Sequence, residues 1–227
     1  MKVFLKISVF IFSVFVSYSA VCQEDTTKFR IEPEAVFVGY DISNFLLKAL
    51  NSARNEYEIS IDIGLNKDLF IVGEAGIATY DFSGDKYLYN YSSDGLLWRT
   101  GFCYNLYRKG EKNDLMTVGL LFGHANFNHK ASDLIIHDIL YGEQIISNVR
   151  FDDQHVNWLE FAFSLKVELF ANIFLGWSIR GKGYLGGSDF DFLKPNVLPG
   201  YGNFNRKVNA TITYSVFYRI PFHKELH

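Results

Sequence analysis

The residues of this sequence that could do nucleophilic or metal chemistry are four histidines in its second half: His124, His129, His137 and His155. Their spacing matches no zinc motif such as HExxH. Ser132 and Ser147 could attack an acyl group, but that reaction needs a histidine in contact with the serine hydroxyl, and nothing in the sequence marks either serine as activated. We therefore expect no catalytic, cofactor-binding or metal site. A lipid-modifying enzyme of the deacylase or acyltransferase type is retained as an alternative.

The N-terminal sequence predicts that the chain is exported. Lys2 and Lys6 precede an apolar run, and Ser19 and Ala20 follow it, which is the layout of a secretory signal peptide. The apolar run is too short for a membrane-spanning helix. We predict a signal peptide at 1–22 and one domain at 23–227. Cys22 is either removed with the signal or becomes a lipidated first residue; if it is removed, Cys103 has no partner for an internal disulfide.

Charge excludes one class of partner. The formal net charge is −3, and loss of the two signal-peptide lysines makes it more negative. Because nucleic-acid binding needs a basic surface, we expect no nucleic-acid partner.

The mature chain is dominated by strands in which apolar and polar residues alternate. We predict eight of them, at about 29–40, 56–66, 69–81, 95–107, 115–128, 157–170, 172–185 and 208–222. Several exceed the usual length of globular strands and suffice to cross a bilayer at a tilt near 40°. Short turns alternate with long loops, as in barrels that face periplasm and exterior. The fold class is therefore all-β, an up-and-down antiparallel transmembrane β-barrel of eight strands with a short loop helix.

The stretch "LEFAFSLKVELF", residues 159–170, indicates which face meets lipid. Its odd positions are apolar and its even positions include charges, so we expect the odd side chains outside and the even ones in the lumen. A soluble lipocalin-like barrel, with apolar side chains inward, is the rival fold. The predicted lumenal polar network is Glu160, Lys166, Glu168, Arg180, Lys182, Arg99 and Arg219, with Glu58, Asp62 and Glu74 as further lumenal charges. These charges could line a narrow channel or pair with one another, and the small bore of eight strands favours pairing.

Two long loops carry structure of their own. Residues 43–54 predict a short helix capped by Ser43 or Asn44, with an apolar stripe of Phe45, Leu46, Ala49 and Leu50. It either docks a partner or folds over the barrel mouth. The loop from 130 to 156 predicts a hairpin that either projects above the membrane or adds strands nine and ten.

Aromatic residues near strand ends predict the two interfacial girdles. They are Trp158, Trp177, Tyr107, Phe170 and Phe222. The aromatic and amide residues of "GYGNFN" would suit an exposed binding surface or an interfacial anchor.

The stretches "WLEFAFSLKVELFANIFLGWSIRGK", "VLPGYG" and "TYSVFYRIPF" resemble a family of uncharacterised outer-membrane β-barrel proteins of Gram-negative bacteria, described as a domain of unknown function. The resemblance covers nearly the whole mature chain. It implies an outer-membrane location and a barrel architecture, and it supplies no catalytic residues.

From these observations we expect an outer-membrane barrel that acts as a structural or interaction scaffold, as an accessory subunit of an envelope assembly. Its expected partners are outer-membrane lipid and a protein that contacts the extracellular loops or the loop helix.

Overall fold

The computed structural model describes residues 35–45, 54–82, 90–107, 114–138, 142–190 and 194–222, with the backbone alone for 133–147. Within these ranges ten strands follow one another: β1 Ala35–Asp41, β2 Arg54–Gly64, β3 Leu69–Phe82, β4 Asn90–Asn105, β5 Leu115–Asp138, β6 Gly142–Phe170, β7 Ile173–Gly187, β8 Val197–Leu198, β9 Gly202–Asn203 and β10 Val208–Pro221. The predicted signal peptide and most of the predicted loop helix, including Leu46, Ala49 and Leu50, lie outside the described residues. No helix among the described residues is long and apolar enough to cross a membrane.

Eight of these strands form one closed barrel. Each neighbouring pair is antiparallel, and the order around the wall is β1, β10, β7, β6, β5, β4, β3, β2, with β2 returning to β1. Closure joins the two ends of the domain, since Ala35 is the register partner of Pro221. The prediction of an eight-stranded up-and-down barrel is confirmed.

The central hairpin is longer than predicted. β5 has 24 residues and β6 has 29, and the two stay paired from Leu115 and Lys166 up to Asp138 and Gly142. The segment 130–156 therefore extends two barrel strands, and the alternative of a ninth and tenth wall strand is wrong. The short pair β8 and β9, which forms a separate two-stranded sheet, was not predicted.

The exterior of the wall is apolar because the outward positions of each strand are apolar. Five of these outward side chains are more than half exposed, as expected of residues that face lipid in a membrane barrel: Ile59, Phe102, Leu120, Phe161 and Ile212. The prediction that Trp158 lies in an interfacial girdle is wrong, because its side chain is fully buried in the lumen. Its even position places it on the same face as Glu160.

The interior is packed in three layers. The layer at the end with the short turns, which the sequence predicts to be periplasmic and which we call the periplasmic layer, is apolar and contains Phe37, Phe70, Phe174 and Phe217. The middle layer holds the charged side chains. The outer layer is aromatic and includes Tyr80, Tyr91, Phe127, Trp158 and Tyr201. Because exposed apolar side chains cover the outside of the wall and charged side chains occupy the middle of the lumen, the rival lipocalin-like arrangement is wrong.

A helical turn at 43–45 completes the wall where β1 ends. The Asp41 carboxylate accepts the Ser43 N–H at 2.6 Å and so caps the start of this turn. Ser43 Oγ instead accepts the N–H of Tyr214 at 2.6 Å, and Asn44 Oδ1 accepts the N–H of Glu56 at 3.2 Å. These two side chains satisfy backbone donors of β10 and β2 that β1 is too short to reach. Phe45 is 68% exposed.

Candidate functional site

The middle of the lumen is occupied by a cluster of opposite charges. Arg180 bonds both oxygens of Glu74, with distances of 2.5 Å and 2.7 Å, and its Nη1 lies 3.5 Å from Glu160. The sequence leaves open whether Arg180 pairs with Glu160 or with Glu168. The structure places its bidentate partner on β3 instead, at Glu74.

Arg99 belongs to the same cluster and forms ion pairs with carboxylates from three other strands. Its guanidinium lies 2.7 Å from Glu58, 2.9 Å from Glu74 and 2.8 Å from Glu160. Glu160 is fully buried and also accepts the indole N–H of Trp158 at 2.6 Å. Three carboxylates thus meet two guanidinium groups, and the ammonium of Lys182, 3.8 Å from Glu160, balances the remaining charge.

Two lysines extend the polar interior toward the two ends. Lys166 forms an ion pair with Asp62 and lies over the ring of Phe217, 4.3 Å from its centroid, in the periplasmic layer. Lys182 donates to the backbone carbonyl of Gly200 at 2.6 Å, which ties the barrel wall to the loop that covers the outer mouth.

Two members of the predicted network lie elsewhere. Glu168 accepts the N–H of Asn172 at 3.0 Å and therefore stabilises the periplasmic turn between β6 and β7. Arg219 is half-buried near the same turn, where its backbone N–H donates to the Asn172 carbonyl at 2.8 Å. Asn172 has φ = 66°, a left-handed conformation that asparagine tolerates in such turns.

The lumen has no room for a pore among the described residues. Two cavities in the lumen have volumes of about 40 Å³ and about 30 Å³. The loop at 194–204 closes the outer mouth, because Tyr201 is fully buried against Trp158 with ring centroids 6.2 Å apart. The expectation that Tyr201 of "GYGNFN" is an exposed binding residue is therefore wrong. Gly200, at φ = 71°, makes the turn that aims Tyr201 inward.

His129 lies in the aromatic layer above the charges. It is 2% exposed, its ring stacks on Phe151 at 5.1 Å, and neither ring nitrogen has a hydrogen-bond partner. Burial without a partner lowers its pKa. Ser93, its register partner on β4, also has a buried hydroxyl with no partner.

The other described histidines face outward at the upper end of the wall. Ser188 Oγ lies 3.0 Å from His155 Nδ1 and accepts the backbone N–H of the same histidine at 3.0 Å. His124 stacks on His155 at 6.4 Å. The structure therefore brings a serine to a histidine, but that serine is Ser188, which the sequence did not single out. No bond from Ser132 to a histidine was found, and the side chains of His137 and Ser147 lie outside the described set.

No group of three histidine, cysteine or acidic side chains in the described ranges is arranged to hold a metal ion. The charged side chains of the lumen pair mainly with one another. The exposed residues at the upper end of the wall can form hydrogen bonds with molecules outside the barrel.

Comparison with known proteins identifies the family that this chain matches. The family described as a domain of unknown function (DUF6048) matches residues 1–225. No curated protein matches significantly. Solved structures that align over 83% of this chain and 98% of their own include Ail, the attachment invasion locus protein of Yersinia pestis, with 11% identity and a TM-score of 0.43. A major outer membrane protein from Thermus thermophilus aligns with 10% identity and a TM-score of 0.45, and CarO of Acinetobacter baumannii with 9% and 0.36.

Proposed function

The chain belongs to the family described as a domain of unknown function (DUF6048), and from that premise we propose that it is an outer-membrane scaffold barrel that binds a protein partner through its β5–β6 hairpin. The apolar exterior and the N-terminal export pattern support the location. The filled lumen supports a role that passes no solute. The proposed role is non-enzymatic, as an accessory subunit of an envelope assembly.

The observation that carries this proposal is a two-stranded extension above the wall. β4 pairs with β5 only as far as Ser132. β7 pairs with β6 only from Val156 onward, so the residues of β6 that precede Val156 have no partner on β7. Beyond these points β5 and β6 pair only with each other, so each has an edge of backbone donors and acceptors that no described strand covers. Isolated two-stranded ribbons are marginally stable in water, and open edges are the surfaces to which partner strands add.

The test removes the extension without disturbing the barrel. Ser132 and Asn148 are register partners, so 133–147 can be replaced by Asn-Gly, a two-residue turn that suits such a pair. Affinity purification from mildly solubilised outer membranes, with mass spectrometry, should give a stoichiometric partner for the wild type and none for the shortened chain. Heat-modifiable migration in gels shows whether the shortened barrel folds. A lone wild-type monomer, or a partner retained by the shortened chain, would contradict the proposal.

A second candidate function rests on Ser188 and His155. A histidine nitrogen 3.0 Å from a serine hydroxyl, on the lipid-facing side of the upper rim, could support ester hydrolysis of a membrane lipid. His155 would take the proton as Ser188 attacks the ester carbonyl, the lipid alcohol would leave with that proton, and water would then release the fatty acid. Lipid profiles of a strain carrying Ser188→Ala, with Ser132→Ala as the matched control, test it. Profiles identical to wild type in both strains would exclude this activity.

A further inference from the structure

A ladder of aromatic, imidazole and amide side chains lies on the outside of the wall across β4, β5 and β6. Trp98, His124 and Asn157 are successive register partners in one row, and Asn126 and His155 form the row above. We call these five residues the rim patch. All five occupy outward positions of their strands, and Trp98 is 43% exposed.

The rim patch is held in one geometry by its own contacts. His124 lies at the centre, with Nδ1 2.7 Å from Asn157 Oδ1 and Nε2 3.2 Å from Asn126 Oδ1. The Trp98 and His124 rings are 5.4 Å apart. Because a neutral imidazole has one donor and one acceptor nitrogen, each amide uses one polar atom on the ring and keeps its other polar atom for a ligand. A ligand would therefore meet groups that are already ordered, which reduces the entropy cost of binding.

The height of the rim patch sets what lies beside it. His124 follows the periplasmic end of β5 by nine residues, which corresponds to a rise of about 23 Å at the usual strand rise and tilt. This is close to the height of the apolar band of an outer-membrane barrel, about 25 Å. Below the patch the outward residues are apolar, such as Leu120 and Phe122; above it they are Asn128 and Lys130. The rim patch thus faces the headgroups of the outer leaflet.

The chemistry of the rim patch fits a sugar better than a phosphate. Amides and imidazoles both donate and accept hydrogen bonds, as sugar hydroxyls do, and an exposed indole offers an apolar face to a pyranose ring. A phosphate would need excess positive charge. Immediately above the patch lie three carboxylates and two cations, so positive charge is not in excess there: Asp94, Asp152 and Asp153 against Lys130 and Arg150.

We propose that the rim patch binds the saccharide headgroup of an outer-leaflet glycolipid, through stacking on Trp98 and hydrogen bonds to Asn126 and Asn157. This site is independent of the proposed protein partner, because its proposed contacts Trp98, Asn126 and Asn157 lie on paired strands of the wall, below the segment 133–147. It would hold the barrel at a fixed depth and rotation among its lipids.

The test uses the full mature chain in lauryldimethylamine oxide, a detergent without a sugar headgroup. The probe is purified rough-type lipopolysaccharide, and binding is measured by titration with native mass spectrometry. The Asn126→Ala/Asn157→Ala double variant and Trp98→Leu should each weaken binding at least tenfold. Tyr57→Leu, an outward aromatic on β2, and Asn205→Ala, in an exposed loop, are matched controls that should stay within twofold of wild type.

Three results would overturn the proposal. The first is unchanged affinity in rim-patch variants that migrate as folded barrels. The second is equal competition by phosphatidylethanolamine, which would show that acyl chains alone are bound. The third is equally tight binding of the free core oligosaccharide, which would identify a soluble saccharide as the ligand instead of a glycolipid.

Discussion

Arg180 and Glu74 form a bidentate ion pair at the centre of the lumen, with nitrogen–oxygen distances of 2.5 Å and 2.7 Å across 106 positions of sequence. The pair is costly to break, because without Arg180 the three buried carboxylates of the cluster would be left with only two cations, Arg99 and Lys182. It also links β3 to β7, two strands that are not neighbours in the wall.

Arg180→Met should therefore lower the free energy of unfolding by about 3–5 kcal/mol. Urea unfolding in detergent micelles measures this change. Arg150→Met is the matched control, because its ion pair with Asp152 is solvent-exposed and should contribute little to stability. Adding Glu74→Gln to Arg180→Met should recover part of the loss. Equal effects of the two arginine substitutions would show that the lumenal pair is not special.

Gly123→Ala should destabilise the barrel by about 1–3 kcal/mol through overpacking. A Cβ at this position would lie 2.2 Å from the Trp158 ring, which is fully buried and cannot move aside. Gly73→Ala is the control, since a Cβ there meets nothing within 4 Å. Folding yield and urea midpoint of the two variants should differ, and identical values would mean that Trp158 has another position in the lumen.

Cys103 should resist labelling by a maleimide in the folded barrel and react fully after denaturation, because its side chain is buried in the lumen. Asn205→Cys, in an exposed loop, provides a positive control that should label without unfolding. Intact mass measurement counts the labels. Rapid labelling of Cys103 in the folded chain would show that the lumen admits solutes of that size.

Planar bilayers containing the wild-type protein should show no conductance steps. The ion pairs of Arg99 and Arg180 with Glu74 cross the middle of the lumen and Tyr201 packs on Trp158 above them, so a hydrated ion has no open path through the described residues. Reproducible unitary steps from protein of verified purity would favour the channel alternative.

The stability of the barrel should fall in acid partly through His129. Burial lowers its pKa below the ordinary 6.5, so the unfolded chain takes up a proton at a higher pH than the folded chain does. The stability loss should begin as the pH drops below about 6.5 and be complete below the lowered folded pKa. His129→Phe should reduce the difference in urea midpoint between pH 8 and pH 5. His155→Phe, on the exposed exterior, is the control and should leave that difference in place.

The alternation of residue types predicts the faces of the strands well. Leu159 and Phe161 face outward and Glu160 faces inward because lipid and lumen impose opposite polarity on neighbouring residues. The same rule places Trp158 inward, on the parity of Glu160. Its position near a strand end favoured the girdle, so the alternation was the better guide.

The upper ends of β5 and β6 were missed for a related reason. Beyond residue 128, above the span predicted to cross the bilayer, the period-two pattern weakens although the pairing continues. The contact of Ser188 with His155 depends on a register shift at Asn157 and Trp158, and that shift has no sequence signature. The choice of Glu74 as the partner of Arg180 likewise needs the wall closed before it can be seen.

The pairing of β1 with β10, which closes the barrel, has a consequence for the order of folding. Ser43 and Tyr214 meet across 171 positions of sequence, whereas most other neighbouring wall strands are joined by direct hairpin connections. Loop-closure entropy makes such a contact about 2.5 kcal/mol costlier to form than one across a ten-residue loop. Hairpins should therefore assemble first, with the first and last strands joining in the final step. The rate of that step would be set by the seven-residue β1 and by the two side chains that finish its edges.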